Sequence, residues 1–148
     1  MKALAASFAV LLVSLSLATS AQARNEVSYF SVEDAMKSEE GKARLAGHVK
    51  FYFADQAHPA VEATVSQGVV ANKKSGIGGD EAEACNRAFV AALAQLQEKA
   101  QRADGNAVIN IESYFKKSSY RSKDKYECHA GHAKTVVTLK GDVVKLKE

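Results

Sequence analysis

Two cysteines and four histidines are the side chains with the most specific chemistry to offer. Cys85 stands alone, whereas Cys128 opens the run Cys128-His129-Ala130-Gly131-His132, with His48 and His58 elsewhere. An even cysteine count in an exported chain favours a disulfide. Joining Cys85 to Cys128 closes a loop of roughly 44 residues, worth about 4 kcal/mol on the chain-entropy account. The alternative is a metal site on Cys128, His129 and His132, which are soft and borderline ligands. Strand alternation sends Cys128 and His132 one way and His129 the other. A structural zinc site also needs four converging ligands, and a disulfide consumes the thiolate. The disulfide is the expectation; no metal ligand is assigned ahead of it. C-x-x-C, the spacing of a reactive redox pair, is absent.

Two other stretches invite a ligand. Residues 75–80, Ser-Gly-Ile-Gly-Gly-Asp, are glycine-rich before a helix, but they lack the Gly-Lys-Ser/Thr ending of a phosphate loop and read as a flexible link. Residues 116–125 carry Lys116, Lys117, Arg121, Lys123 and Lys125 against one acid, with Tyr114, Phe115 and Tyr120 close by. These five cations are the candidate contacts for an anionic polymer or lipid head group. The sequence holds no G-x-S-x-G and no H-E-x-x-H, so no catalytic residue and no cofactor is assigned.

The chain opens with Met1-Lys2 and an apolar run over residues 3–18 interrupted only by serines, closing on Ala21-Gln22-Ala23. A basic start, a short apolar core and an A-x-A site read as a secretory signal peptide cleaved between Ala23 and Arg24. The core is short for a membrane span of about 20 residues, and no cysteine near the site offers a lipid anchor. Residues 24–148 then form one domain in the periplasm, with no transmembrane segment. Losing Lys2 leaves 19 basic side chains against 17 acidic, too even a balance for a nucleic-acid partner.

The elements that must hold these groups are organised around residues 80–103. Asp80 and Glu83 have capping-box spacing. Cys85, Ala88, Phe89, Ala92, Leu96, Ala100 and Ala103 share one helical face, and Asn86, Arg87, Gln97 and Arg102 the opposite one. Asp104-Gly105-Asn106 ends the helix, with Gly105 free to turn left-handed. Residues 24–30 read as an extended arm, and 32–45 as a short helical stretch that begins at Ser31 and breaks near Gly41. Strands are expected at 48–54 and at 61–71, the latter with Val61, Ala63 and Val65 inward. Further strands follow at 107–115, at 126–139 and, after a turn at 140–142, at 143–146. Residues 116–125 are a polar loop. Hairpin-length links favour an antiparallel sheet of four to five strands, ordered strand-strand-helix-strand-strand, with the long helix on one face: an α+β fold.

Phe51-Tyr52-Phe53 with Asp55-Gln56, Asn72-Lys73-Lys74, Glu83-Ala84-Cys85, the run Gly105 to Asn110 and Glu127-Cys128-His129-Ala130-Gly131 resemble an uncharacterised family of small exported proteobacterial proteins. The excinuclease ATPase label that family sometimes carries is at odds with a chain lacking a phosphate loop and zinc-finger cysteine pairs. The helix, Gly105 to Asn110 and the small residues Ala130, Gly131 and Ala133 are also similar to YbjQ-like and RcsF-like α+β folds. The RcsF-like resemblance implies envelope-stress sensing through protein contacts; this chain departs from it in having two cysteines rather than four. The functional expectation is a non-catalytic periplasmic module, disulfide-stapled, that binds an envelope protein or an anionic envelope polymer; the alternatives are a metal-binding module using Cys128, His129 and His132, and a small hydrolase.

Overall fold

The computed structural model describes residues 24–148. The expected signal peptide, with Ala21 and Ala23 at its expected cleavage site, lies outside the described residues; Arg24 begins them.

The architecture is a curled seven-stranded mixed sheet with one long helix against its inner face. The strands are β1 (Glu26–Ser31), β2 (Lys50–Phe53), β3 (Val61–Gly76), β4 (Ala107–Phe115), β5 (Ser118–Tyr120), β6 (Lys125–Ala130) and β7 (Lys134–Leu146). The helices are α1 (Val32–Lys37), α2 (Glu39–Arg44) and α3 (Glu81–Arg102). The sheet has more strands than the sequence suggested, and it is not purely antiparallel, because β2 runs parallel to β4. The physical reason is the connection: β3 and α3 intervene between β2 and β4, and a crossover of that length delivers a parallel neighbour.

The organising strand is β7. One of its edges pairs along its length with β3. The other is shared: β6 pairs at His129↔Val136 and Ala130↔Thr135, and β4 pairs from Leu139 to Val144. Where the two compete, β4 leaves the ladder and its end lies over β6. There Ser113 Oγ accepts from the Glu127 N–H (2.9 Å), and Phe115 stacks on His129. The long strand and its turn are thus placed differently from the expectation. β7 runs straight through residues 140–142, and the hairpin turn falls at residues 131–133 instead. Gly141 permits this because a Cβ there would sit 2.7 Å from Val108 Cγ1 and 3.2 Å from the Ile109 carbonyl oxygen. Gly141→Ala is expected to destabilise the protein by about 1–3 kcal/mol through overpacking, read as a lowered midpoint in thermal unfolding; an unchanged midpoint would refute the tight approach.

The extended segment expected over residues 24–30 is strand β1, which pairs with β6 from Glu26 to Ser31. The break in the first helical stretch falls at Ser38, not Gly41. Ser38 Oγ accepts from the Gly41 N–H, starting a new helix, and Gly41 packs directly under α1. Ser31 caps α1 by accepting from the Asp34 N–H. β3 is longer than expected and takes in Ser75 and Gly76 from the supposed flexible link, while Val61, Ala63 and Val65 are exposed rather than inward. Three register shifts between Val61 and Val69 break the alternation on which that inward assignment depended. β3 is also an edge strand, and α3 guards part of it. Lys99 Nζ donates to the Val70 carbonyl (2.7 Å), and Arg87 donates to the Gly76 carbonyl and Ser75 Oγ.

The helix α3 lies where expected. Asp80 caps it by accepting from the Ala82 N–H (2.9 Å), but Glu83 turns to Arg87 rather than back to the cap. Its C-terminus is a Schellman turn: Gly105 N–H reaches the Ala100 carbonyl and Asp104 N–H the Gln101 carbonyl. Asp104, not Gly105, takes the left-handed conformation (φ 58°). Gly105 serves close approach, since a Cβ would lie 2.6 Å from Val143 Cγ1. Burial extends past the alanine stripe to Val90, Leu93 and Gln97, whereas Ala103 is exposed. Gln97, expected on the solvated face, donates to the Arg44 carbonyl at the end of α2.

Candidate functional site

The disulfide is formed: Cys85 and Cys128 are joined, with Cα atoms 5.9 Å apart and both residues fully buried. The first turn of α3 and strand β6 place them, so the bridge ties the helix to the sheet.

The Cys128-His129-His132 set is split up by its elements. Cys128 faces α3, and its sulfur is committed to the bridge. His129 turns to the other side of β6, where Nε2 is 2.5 Å from Glu127 Oε1 and its ring stacks on Phe115 at 3.6 Å. His132 sits beyond β6, 3.4 Å from the Arg24 backbone N–H. No group of three or more histidine, cysteine or acidic side chains is gathered for a metal ion among the described residues.

The five cations of residues 116–125 do not form one patch. The polar loop is a hairpin, in which β5 pairs with β4 across Lys116 and Lys117. Both lysines have positive φ, 48° and 66°, as a type I′ two-residue turn requires. Lys123 lies 3.7 Å from Asp55, and Lys125 begins β6. Only Arg121 enters a constellation.

That constellation occupies the sheet face turned away from α3. Ile111 points into the core and its neighbour Glu112 to the opposite side, where it is 6% exposed. Glu112 Oε1 accepts from Lys140 Nζ (2.9 Å) and Ser119 Oγ (2.9 Å), and Oε2 from Arg121 (3.1 Å). Burial opposes ionisation of this carboxyl, but the bonds from Lys140, Ser119 and Arg121 outweigh it and hold it below the usual glutamate range. The same carboxylate raises the Lys140 ammonium above its ordinary value. Lys140 also stands 3.9 Å over the Tyr114 ring.

Beside Glu112, β4 carries a bulge. Asn110 takes a left-handed conformation (φ 54°), which asparagine tolerates better than most residues. Asp142 fixes it from β7: Oδ2 accepts from Asn110 Nδ2 (2.9 Å), and Oδ1 accepts from the Gly68 N–H of β3 (2.8 Å). Gly68, Asn110, Glu112, Arg121, Lys140 and Asp142 line an open cleft of about 420 Å³. Asn110, Glu112, Lys140 and Asp142 escaped sequence reasoning. The one available signal was Asn110 itself, a polar, turn-favouring residue interrupting a β-branched run.

Glu112→Gln removes a buried charge matched by two cations and is expected to cost about 1–3 kcal/mol at neutral pH. A carboxyl whose folded-state pKa is depressed contributes stability above its unfolded value, near 4.3. That contribution is lost as pH falls through the lower folded value. The variant is expected to show a shallower fall in stability below about pH 4.3 than the parent, measured by urea unfolding across pH; parallel curves would refute the assignment.

A larger groove of about 530 Å³ between α1 and β2 is lined by Val32, Met36, Phe51, Phe53, Gln56 and Lys123, among others. Its lysines are already paired, Lys37 with Glu33 and Lys123 with Asp55. Gln56 is spent on the Phe53 N–H and the Lys123 carbonyl. Chemistry is concentrated in the smaller cleft. Among the described residues, no helix is long and apolar enough to cross a membrane.

Comparison with known proteins finds no matching family model, no matching curated protein and no matching solved structure.

Proposed function

We propose that this protein is an exported, periplasmic, non-catalytic binding module that contacts a component of the cell envelope through the sheet face turned away from α3. The observation that carries the reading is the cleft at Asn110, Glu112, Arg121, Lys140 and Asp142. There charged groups are held by one another and by the bulge, on a face that no helix of the described residues covers. Such preorganisation favours recognition, because ordering costs are met in folding rather than on binding. The leader at residues 1–23 and the buried cysteine pair support export to an oxidising compartment. The resemblance to the small exported family points the same way, and its RcsF-like aspect suggests envelope-stress sensing as the form the role takes.

The test is photo-crosslinking in intact cells, with a crosslinker placed at Lys117, at the tip of the hairpin beside the cleft. A discrete adduct with an envelope component is expected. Absence of any adduct, with the protein recovered from the periplasm, would overturn the proposal.

A further inference from the structure

We propose that the cleft binds a hydroxyl-rich ligand, a saccharide unit of an envelope glycan; this rests on the binding-module reading and names its ligand chemistry. The lining carries two cations, Arg121 and Lys140, and two carboxylates, Glu112 and Asp142. An anionic ligand would displace or face the carboxylates, and a cationic one would face the ammonium and guanidinium. A neutral polyol meets both, since each hydroxyl donates once and accepts twice.

Bonding capacity of both kinds is left over in the cleft. Arg121 spends one of its five N–H donors, on Glu112. Each Asp142 oxygen accepts once, from Gly68 and Asn110, and Asn110 gives its amide N–H to Asp142 while Oδ1 stays open to a donor. Donors and acceptors thus alternate across one cleft, as adjacent sugar hydroxyls require.

β7 is paired there on both edges, with β3 and with β4, so it offers no open backbone edge of its own to a peptide strand. Among the described residues, no helix N-terminus faces the cleft to hold a phosphate.

The experiment is an NMR titration of the ¹⁵N-labelled chain starting at Arg24. The probes are chitotriose, cellotriose and maltotriose at millimolar concentration, with inorganic phosphate and phosphatidylglycerol vesicles run alongside. At least one trisaccharide is expected to shift the Gly68 and Gly141 amides and the Asn110 side-chain amide. Arg121→Gln, a substitution at an exposed position, is expected to weaken that binding about tenfold. Lys37→Gln, in the α1–β2 groove, is expected to leave it unchanged.

Failure of all three trisaccharides to move these resonances would overturn the inference, as would phosphate or vesicles moving them while the sugars do not. Equal weakening by Arg121→Gln and Lys37→Gln would also overturn it. An envelope adduct in the crosslinking test that survives Arg121→Gln would leave the binding-module reading standing without the saccharide. Sugar binding without any cellular adduct would do the reverse.

Discussion

Replacing Cys85 and Cys128 together by alanine is expected to lower the unfolding free energy by about 4 kcal/mol. The bridge spans 43 residues of sequence, and without it the denatured chain regains the freedom that this closed loop withholds. The native state has a local reason to feel the loss as well. β6 holds β7 through two residue pairs, and β1 pairs with β6 rather than with β7. The sulfur link is therefore a main attachment of the β1–β6 pair to the rest of the protein. Urea unfolding of the double variant measures the effect. A loss below about 1 kcal/mol would show that packing alone secures β6 and that the chain-entropy account fails here.

Phe89→Ala is expected to cost about 3–5 kcal/mol. Phe89 lies wholly buried on α3, with the Tyr126 ring 4.1 Å away and the Phe53 ring 6.0 Å away. It therefore joins the helix to β6 on one side and β2 on the other. Truncation leaves a cavity that rigid neighbours cannot fill, and removes two ring contacts. The Tyr126 phenol donates to Asn86 Oδ1 (2.6 Å) on the same helix, and burial pushes its pKa upward. That bond keeps the ring from collapsing into the space. Chemical denaturation gives the magnitude, and a cost near 1 kcal/mol would mean that β6 and α3 close over the gap.

The long helix was legible because its signals are local: Asp80 at the cap, an apolar face from Cys85 to Ala100, and a stop at Asp104. The disulfide followed from the even cysteine count and from the export expected of a chain with that opening sequence. The α+β class followed from strands flanking one helix. Strand partners did not, because pairing is set by what lies between strands rather than by the strands themselves. β2 looks ready for a hairpin and instead crosses over to meet β4 in parallel. The β4–β5 turn stayed hidden because Lys116-Lys117 occupies a geometry that Asn-Gly usually announces. The bulges of β3 made Val61 and Val65 look inward when they are exposed. The cleft was out of reach for the same reason. Glu112 read as one position of a strand and Lys140 and Asp142 as parts of a turn, and only the bulge at Asn110 and the register of β4 on β7 bring them together.

The guarding of β3 has a consequence for assembly in time. Its 16 residues contain no proline, and the shielding of Val70 and Gly76 comes from Lys99 and Arg87, which arrive with α3. Until the helix docks, the longest strand of the sheet presents both edges, and an unfinished chain is open to strand exchange with another copy. At Val70 and Gly76 the hazard belongs to the interval before the helix closes over the sheet and ends when Arg87 and Lys99 reach their carbonyls. Protection against misassembly thus has two sources, the register shifts with Lys73 and Lys74 that β3 carries itself and the cover that arrives with α3.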